Sequence, residues 1–466
     1  MAILLDFSVI LILLVGIWQF REPRGARSGN LTAAAALLSA FVLVVYRHGV
    51  IDAGMVTFAL VAGTISGVAV ASRVNMIQIP AMVAFQHGAG GVAAFLVAFV
   101  ELTRDAQVLD FVGEMSGVLG LAIGSLTFGG SMVASAKLSN KIRQVPHLLP
   151  AHDVLLLFTI GAFSALAALS FYLPADIRTA VYLAQILLGT GFGVLFAIRI
   201  GGADMPVLIS FLNATAGLAA SLCGMVIANQ LLIAFGATVA ASGSILTHVM
   251  CKAMNRSMVR VFWPRFQPPA PPEKSKMADS PPQGQAAVAA PSPDRTGDAA
   301  AALAAAKRVI IIPGYGMALA KAQFNVVAMA ALLRRRGATV SYAIHPVAGR
   351  MPGHMNVILA EADVDYDDLL EMDEANPLFA ETDVALVIGA CDVVNPAAIQ
   401  TQGTPISGMP ILEAYAARAI VACNFDEKPG YSGVANPLYQ DPKTIMITGD
   451  AKASTDALMA ALGLPS

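Results

Sequence analysis

Val309-Ile310-Ile311-Ile312-Pro313-Gly314-Tyr315-Gly316-Met317-Ala318-Leu319-Ala320 decides how the C-terminal part of this chain folds. A β-branched run stops at a proline and gives way to G-x-G-x-x-x-A, which reads as a strand, a tight turn and the mouth of a helix. Strands are then expected at Val309–Ile312, Thr339–Ile344, Val384–Ile388, Ala419–Cys423 and Thr444–Ile447, with helices from about Met317 to Arg336 and over Ser454–Leu462. Alternation of this kind predicts an open, Rossmann-like parallel α/β sheet. Glycines in the first turn would let a pyrophosphate approach backbone N–H groups, and Gly389-Ala390-Cys391-Asp392 and Gly449-Asp450-Ala451 follow other strands at the same end of the sheet. Gly314-Tyr315-Gly316 also matches part of a potassium-filter string, but a filter must lie between membrane spans and this turn does not.

Upstream of that domain, nine prolines between Pro264 and about Ala304, mixed with Ala, Ser, Gly and Gln, read as an extended linker over 264–306. Residues 1–263 are a different material. The whole chain is 56% hydrophobic and 13% charged over 466 residues, about half the charge of an ordinary soluble protein. A polytopic membrane domain is therefore expected, in contact with lipid. The net charge of −2 offers no basic field for nucleic acid. Cys223, Cys251, Cys391 and Cys423 show no C-x-x-C or Cys/His spacing, so buried thiols are expected and no metal site. Ile3–Phe20 lacks a basic leader region and contains Asp6, so it reads as a retained span rather than a signal peptide.

Nine segments approach the roughly 20 apolar residues that a spanning helix needs: 3–20, 31–46, 53–72, 80–100, 113–134, 153–173, 179–198, 206–228 and 231–251. An odd number puts the termini on opposite sides. With the C-terminal domain cytoplasmic, the inner loops hold Arg21, Arg24, Arg27, Arg73, Lys137, Lys141, Arg143, Arg199, Lys252, Arg256 and Arg260, and the outer ones only Arg47, Arg104 and Arg178. That bias places the N-terminus and the Asn229-Gln230 turn outside.

Ionisable groups inside spans are costly and mark candidate functional sites. His87 is the one set deep in a span, seven residues beyond Pro80, about 10 Å at 1.5 Å per residue. Asp6 and Glu114 sit nearer the ends of theirs. Asn213 is seven residues beyond Pro206, and both spans start at the same face, so His87 and Asn213 share a depth. An imidazole that titrates near neutrality and a carboxamide that hydrogen-bonds either of its states suggest a proton relay, with a plain interhelical hydrogen bond as the structural alternative. Gly88, Gly90, Gly91 and Gly217 would let helices approach there. His48, His147, His152 and His248 fall in loops or near span ends.

With these residues in view, the chain resembles, nearly end to end, the β subunit of the proton-translocating NAD(P) transhydrogenases. The strings that carry the likeness are Ile200-Gly201-Gly202-Ala203-Asp204-Met205-Pro206, Met250-Cys251-Lys252-Ala253-Met254-Asn255-Arg256-Ser257, Pro313 to Ala320, His345-Pro346-Val347-Ala348-Gly349-Arg350-Met351-Pro352-Gly353-His354-Met355-Asn356, and Gly449 to Ser454. The resemblance implies a proton-conducting domain at 1–263 and an NADP(H)-binding domain at 307–466. It implies reversible hydride transfer between NAD(H) and NADP(H), driven by proton flow, in the bacterial inner membrane. His87 and Asn213 fall where the family has its proton path, and Asp392 where an acid couples protonation to nucleotide occupancy. Nucleotide contacts are implied for Gly314, Tyr315, Gly316, Val347, Ala348, Gly349, Arg350, Met351, Pro352, Gly389, Ala390, Cys391, Asp392, Val393, Gly408, Met409, Gly430, Tyr431, Asp450 and Ala451. One nucleotide domain requires a second from a partner, an α subunit that carries NAD(H), in an expected dimer of αβ units. Two nicotinamides held face to face exchange hydride without a protein acid or base at the reacting carbons.

One departure bears on the nucleotide. After the strand Ala419–Cys423 the family usually has Lys-Arg-Ser, whose charges hold the adenosine 2′-phosphate; here Asn424-Phe425-Asp426 stands there, with Lys428 and Arg350 as the compensating cations. A carboxylate near the ribose is the usual device of an NAD site, so altered selectivity toward NAD(H) is the alternative. A channel or transporter with a nucleotide-sensing domain is the alternative of a different class.

Overall fold

The computed structural model describes residues 2–19, 25–48, 53–75, 78–104, 109–143, 146–254, 257–262, 295–351, 353–402, 404 and 406–463. Pro352, Arg21, Arg24, Asn255, Arg256 and the proline-rich stretch as far as 294 lie outside them. The chain divides into two compact units, Met1–Gly201 with Val207–Thr247, and Gly202–Pro206 with His248–Ser466.

The first unit is built from long helices: α1 (Ala2–Gln19), α2 (Ala26–His48), α3 (Ala53–Ala71), α4 (Ile79–Thr103), α5 (Phe111–Leu138), α6 (His152–Ser170), α7 (Ala175–Ile198), and all but the first two residues of α8 (Met205–Val226) and the last six of α9 (Gln230–Ala253). They follow the nine expected segments in order. Among the described residues eight are long and apolar enough to cross a membrane, and α1 contributes the shorter apolar stretch Leu4–Gln19. Side chains such as Leu4, Phe7, Phe58 and Phe158 point outward. In a bilayer their exposure costs nothing, and bundle cohesion then depends on close packing instead. Gly91 and Gly124 supply it where α4 crosses α5: a Cβ on Gly91 would lie 2.6 Å from the Gly124 carbonyl oxygen, and one on Gly124 2.8 Å from that of Gly91. Gly88 and Gly217 also face neighbouring helices, but Gly90 is exposed with nothing near it. It is not a packing residue.

Charges near the helix ends are paired. Asp6 and Arg47 join α1 to α2 at 2.7 Å, Glu114 and Arg178 join α5 to α7 at 3.2 Å, and Glu101 meets Arg104 at 3.6 Å. Lys137, expected in a loop, instead ends α5 and is 1% exposed. The helix runs past the apolar stretch because Ala134 to Leu138 still packs against the bundle.

After α9 come the short helix α10 (Met258–Phe262) and then α11 (Thr296–Ala305), both in the second unit. Residues 295–306, assigned to the linker from sequence, are therefore partly helical. Their alanine-rich composition looked featureless, yet alanine is the best helix former, and Ala299, Ala300 and Leu303 are buried. Six strands follow, β1 (Arg308–Pro313), β2 (Thr339–Ile344), β3 (Leu369–Glu371), β4 (Val384–Ile388), β5 (Ala419–Asn424) and β6 (Thr444–Thr448), with α12 (Tyr315–Leu319), α13 (Gln323–Arg335), α14 (His354–Glu361), α15 (Met372–Phe379), α16 (Ala397–Gln400) and α17 (Ala451–Ala461). All pairings are parallel, in the order β3-β2-β1-β4-β5-β6. The central strands are buried on both faces, which is why they read as continuous Val/Ile runs. Ile310, Ile312, Phe379, Val387, Leu412 and Ile420 belong to one core cluster.

The helix expected from Met317 to Arg336 is interrupted. α12 ends at Leu319, Lys321 takes a φ of 53°, and α13 starts at Gln323. α17 starts before Ser454 because the Asp450 carboxylate accepts from Lys452 N and Ala453 N, a side-chain N-cap. Strand β3 escaped the sequence reading because it has three residues beside an acidic run.

Candidate functional site

In the membrane unit, α4 presents His87 and α8 presents Asn213, and the carboxamide lies within reach of the imidazole. The shared depth set by Pro80 and Pro206 thus corresponds to proximity. Both residues are half-buried, and His87 Nδ1 is buried with no hydrogen-bond partner among the described residues. Helix α5 packs beside the pair. A Cβ on Gly88 would lie 3.1 Å from Ser131 Cβ, and one on Gly130 3.0 Å from a Leu212 methyl. The Thr127 and Thr215 hydroxyls join α5 to α8 at 2.9 Å, and Ser131 Oγ is buried without a partner among the described residues. An imidazole with a carboxamide in reach and its Nδ1 unengaged can pass a proton through its ring. Ser131, Thr127 and Thr215 were not singled out from sequence, since hydroxyls are common in packed helices and only the fold brings Ser131 against Gly88 and Thr127 against Gly91 on the helix that carries His87.

In the soluble unit, strand order reverses between β1 and β4, the switch point where open α/β sheets bind ligands beyond the strand ends. Two loops meet there. Gly314 N donates to Ile388 O at 2.8 Å and Gly316 N to Gly389 O at 2.9 Å. A Cβ on Gly316 would sit 2.7 Å from Gly389 Cα, and Gly389 itself has φ +66°. The glycines of the first turn are thus required by the facing β4 loop as well as by the tightness of the turn.

The loop after β2 folds over the β1 turn. Arg350 is 5% exposed, stacks 4.4 Å above the Tyr315 ring, and donates through Nη2 to Tyr431 Oη at 3.4 Å. His345 is 1% exposed; its Nδ1 accepts from Val347 N at 3.2 Å, so its Nε2 donates to Pro410 O at 2.8 Å. Ala348 N bonds back to His345 O at 3.0 Å. Gly349, at φ +107°, leaves no space for a side chain against the His354 ring, whose Nδ1 accepts from Arg350 N at 3.0 Å. Burial pushes His345 down to about 4, and burial with the Arg350 charge does the same for His354. Both are neutral at pH 7. Burial raises the Tyr315 hydroxyl above its ordinary range. Met351 is half-buried beside Arg350.

Asp392, after β4, accepts from Ser432 N at 3.0 Å and Ser432 Oγ at 2.6 Å. Burial raises its pKa, opposed by both Ser432 bonds. Gly430 lies against it, since a Cβ there would be 2.9 Å from an Asp392 oxygen. The Gly430–Tyr431–Ser432 segment is therefore fastened to Asp392 on one side and Arg350 on the other. Cys391 is half-buried, and burial raises its thiol, so it is a poor nucleophile. Val393 packs on the main core, and Met409 on a second cluster with Ile406 and Ile411, next to Gly408 at φ +74°. These two side chains support loops.

Asn424 is 7% exposed, and its amide donates to Ala390 O at 2.9 Å and to the Tyr439 hydroxyl, which itself donates to Ala390 O at 3.1 Å. Its polarity is used to brace the β4 loop. Phe425 is exposed, and Asp426 accepts from Lys428 N at 3.1 Å and pairs with Lys428 Nζ at 3.4 Å. Lys428 thus shares its charge with Asp426. Gly449 N reaches Asn424 O at 2.9 Å, bringing Asp450 and Ala451 to the same edge.

The comparisons agree with this architecture. Residues 3–461 match the family described as NAD(P) transhydrogenase beta subunit. Two relatives, each called NAD(P) transhydrogenase subunit beta, one from Rhodospirillum rubrum and one from a strain of that species, are 40% identical over 450 residues, 95% of this chain and 94% of their own.

Proposed function

The chain belongs to the NAD(P) transhydrogenase β-subunit family, and on that premise we propose that protons cross its membrane unit through His87 and Asn213 while its soluble unit holds NADP(H) above the β1/β4 switch point. The activity is hydride transfer between NAD(H) and NADP(H) coupled to proton translocation, performed with an α subunit. The observation that carries the proton assignment is the approach of Asn213 to His87, whose Nδ1 is buried with no partner among the described residues.

At the soluble unit, the turns of Gly314, Gly316 and Gly389, bonded to one another, form the floor under the dinucleotide. The Arg350–Tyr431 contact and the Asp392–Ser432 bonds hold a strap that closes over it. Val347 to Met351, Ala390, Gly408 and Asp450-Ala451 line the remaining rim. The bound dinucleotide supplies the hydride chemistry; the protein orients the nicotinamide and excludes water. Asp392, protonated more readily than an ordinary carboxyl because it is buried, links protonation to the strap. The partner presents NAD(H), the complex is a dimer of αβ units, and the soluble unit lies on the cytoplasmic side of a bacterial inner membrane.

His87→Ala is expected to abolish proton-coupled turnover in vesicles while nucleotide binding persists; unchanged coupled turnover removes His87 from the path. A second reading rests on Asn424-Phe425-Asp426, where a carboxylate and an exposed phenyl ring occupy the rim and Lys428 is drawn to Asp426. On that reading NAD(H) competes for this site. Titration of the full chain with both nucleotides separates the two, because a 2′-phosphate that finds its cations gains roughly 2–4 kcal/mol, or 30- to 1,000-fold. A preference for NADP⁺ of that size sinks the second reading, and near-equal affinities sink exclusive NADP(H) binding. Asp426→Ser should shift the ratio toward NADP⁺.

A further inference from the structure

Lys137 is the cation at the end of α5, buried at 1% exposure within the membrane unit, and it has no place in the proton path described above. Its Nζ donates to Ile200 O at 2.5 Å, Ile198 O at 2.7 Å and Ala197 O at 3.4 Å. These are the carbonyls that close α7 and lead toward α8. A helix C-terminus carries a partial negative charge on its unpaired carbonyls, and an ammonium satisfies it with three donors at once. The same turn is gripped from the α6 side: His147 N donates to Ile198 O at 3.0 Å, and His152, whose Nδ1 accepts from Leu149 N, donates through Nε2 to Leu195 O at 3.0 Å.

Helix α5 touches α8 at the level of the proton pair. Gly130 faces Leu212, the neighbour of Asn213, and Ser131 faces Gly88, the neighbour of His87. Lys137 lies about two turns farther along the same helix. We propose that Lys137 is a positioning residue for the reaction: by tying α5 to the end of α7 it sets how far along α5 helix α8 begins, and so holds Asn213 in register with His87. The proposal rests on the reading of His87 and Asn213 as the proton-handling pair.

The test uses the complete αβ complex in vesicles, with Lys137→Met, Lys137→Gln and Lys137→Arg compared across pH beside His87→Ala. Misplacement of a reacting group by about 1 Å can cost ~100-fold, so the Met and Gln variants are expected to lower proton-coupled turnover at least ~10-fold and to displace its pH profile, since His87 loses its carboxamide geometry. Arginine keeps the charge and several donors, and should restore turnover to within about threefold on the wild-type profile. A scaled-down rate on an unmoved profile, or full turnover, in Met or Gln makes Lys137 an ordinary anchor and overturns the proposal. So does failure of both to insert, which would make Lys137 a folding requirement. If His87→Ala retains coupled turnover, the failure belongs to the proton-pair reading and not to Lys137.

Discussion

His345 and His354 are fully enclosed and neutral, and their protonation opposes folding. Each has a folded-state value of about 4 against an ordinary 6.5. Their stabilising contribution is complete above pH 6.5 and is lost as pH falls through about 4, at most roughly 3 kcal/mol each. Neither ring should titrate above about pH 5 by NMR, and a ring titrating near 6.5 would contradict the packing described. Asp392 has the opposite sign: its raised pKa means that its contribution is present below about 3.8 and is lost as pH rises through the raised value. Ser432→Ala removes one of the bonds that restrain that rise, so the pH dependence of nucleotide binding should move upward. An unmoved profile would show that Ser432 does not act through Asp392. The acid itself was legible, because it follows a strand at the ligand-binding end of the sheet. Ser432 was not, since nothing local to Gly430-Tyr431-Ser432 reveals that the chain returns to Asp392.

Elements are held by backbone contacts that a side chain would break. Gly389→Ala places a methyl group against Gly316 and Met317 at a φ of +66°, combining left-handed strain of about 1–2 kcal/mol with overpacking of about 1–3. The variant should unfold several degrees earlier in a thermal scan and bind nucleotide poorly, and wild-type stability would exclude the loop-to-loop contact. Gly91→Leu should likewise part α4 from α5 and reduce detergent stability and coupled turnover together. Strand positions were readable from β-branched runs buried on both faces, and the spans from apolar length. What escaped was set by long-range packing: the break between α12 and α13, the short edge strand β3, and α11, whose alanines become a docked helix only because α17 and β6 receive them.

At the scale of the molecule, the soluble unit has one switch point and the chain needs its α partner to complete a hydride exchange. Membranes containing this subunit alone should bind nucleotide but reduce no NADP⁺ analogue from NADH, and turnover without the partner would refute that division of labour. The sheet order also constrains how the subunit is made. β1 pairs with β2 on one side and with β4 on the other, and β4 is translated long after β1. Until Val384–Ile388 leaves the ribosome, β1 keeps an unpaired aliphatic edge, a slow non-local pairing of the kind that exposes nascent chains to aggregation. The nine helices precede it in synthesis and can already be in the bilayer. A nascent subunit can thus acquire its membrane half well before it can hold a nucleotide, so chaperone protection during biosynthesis is needed most while the sheet is half made.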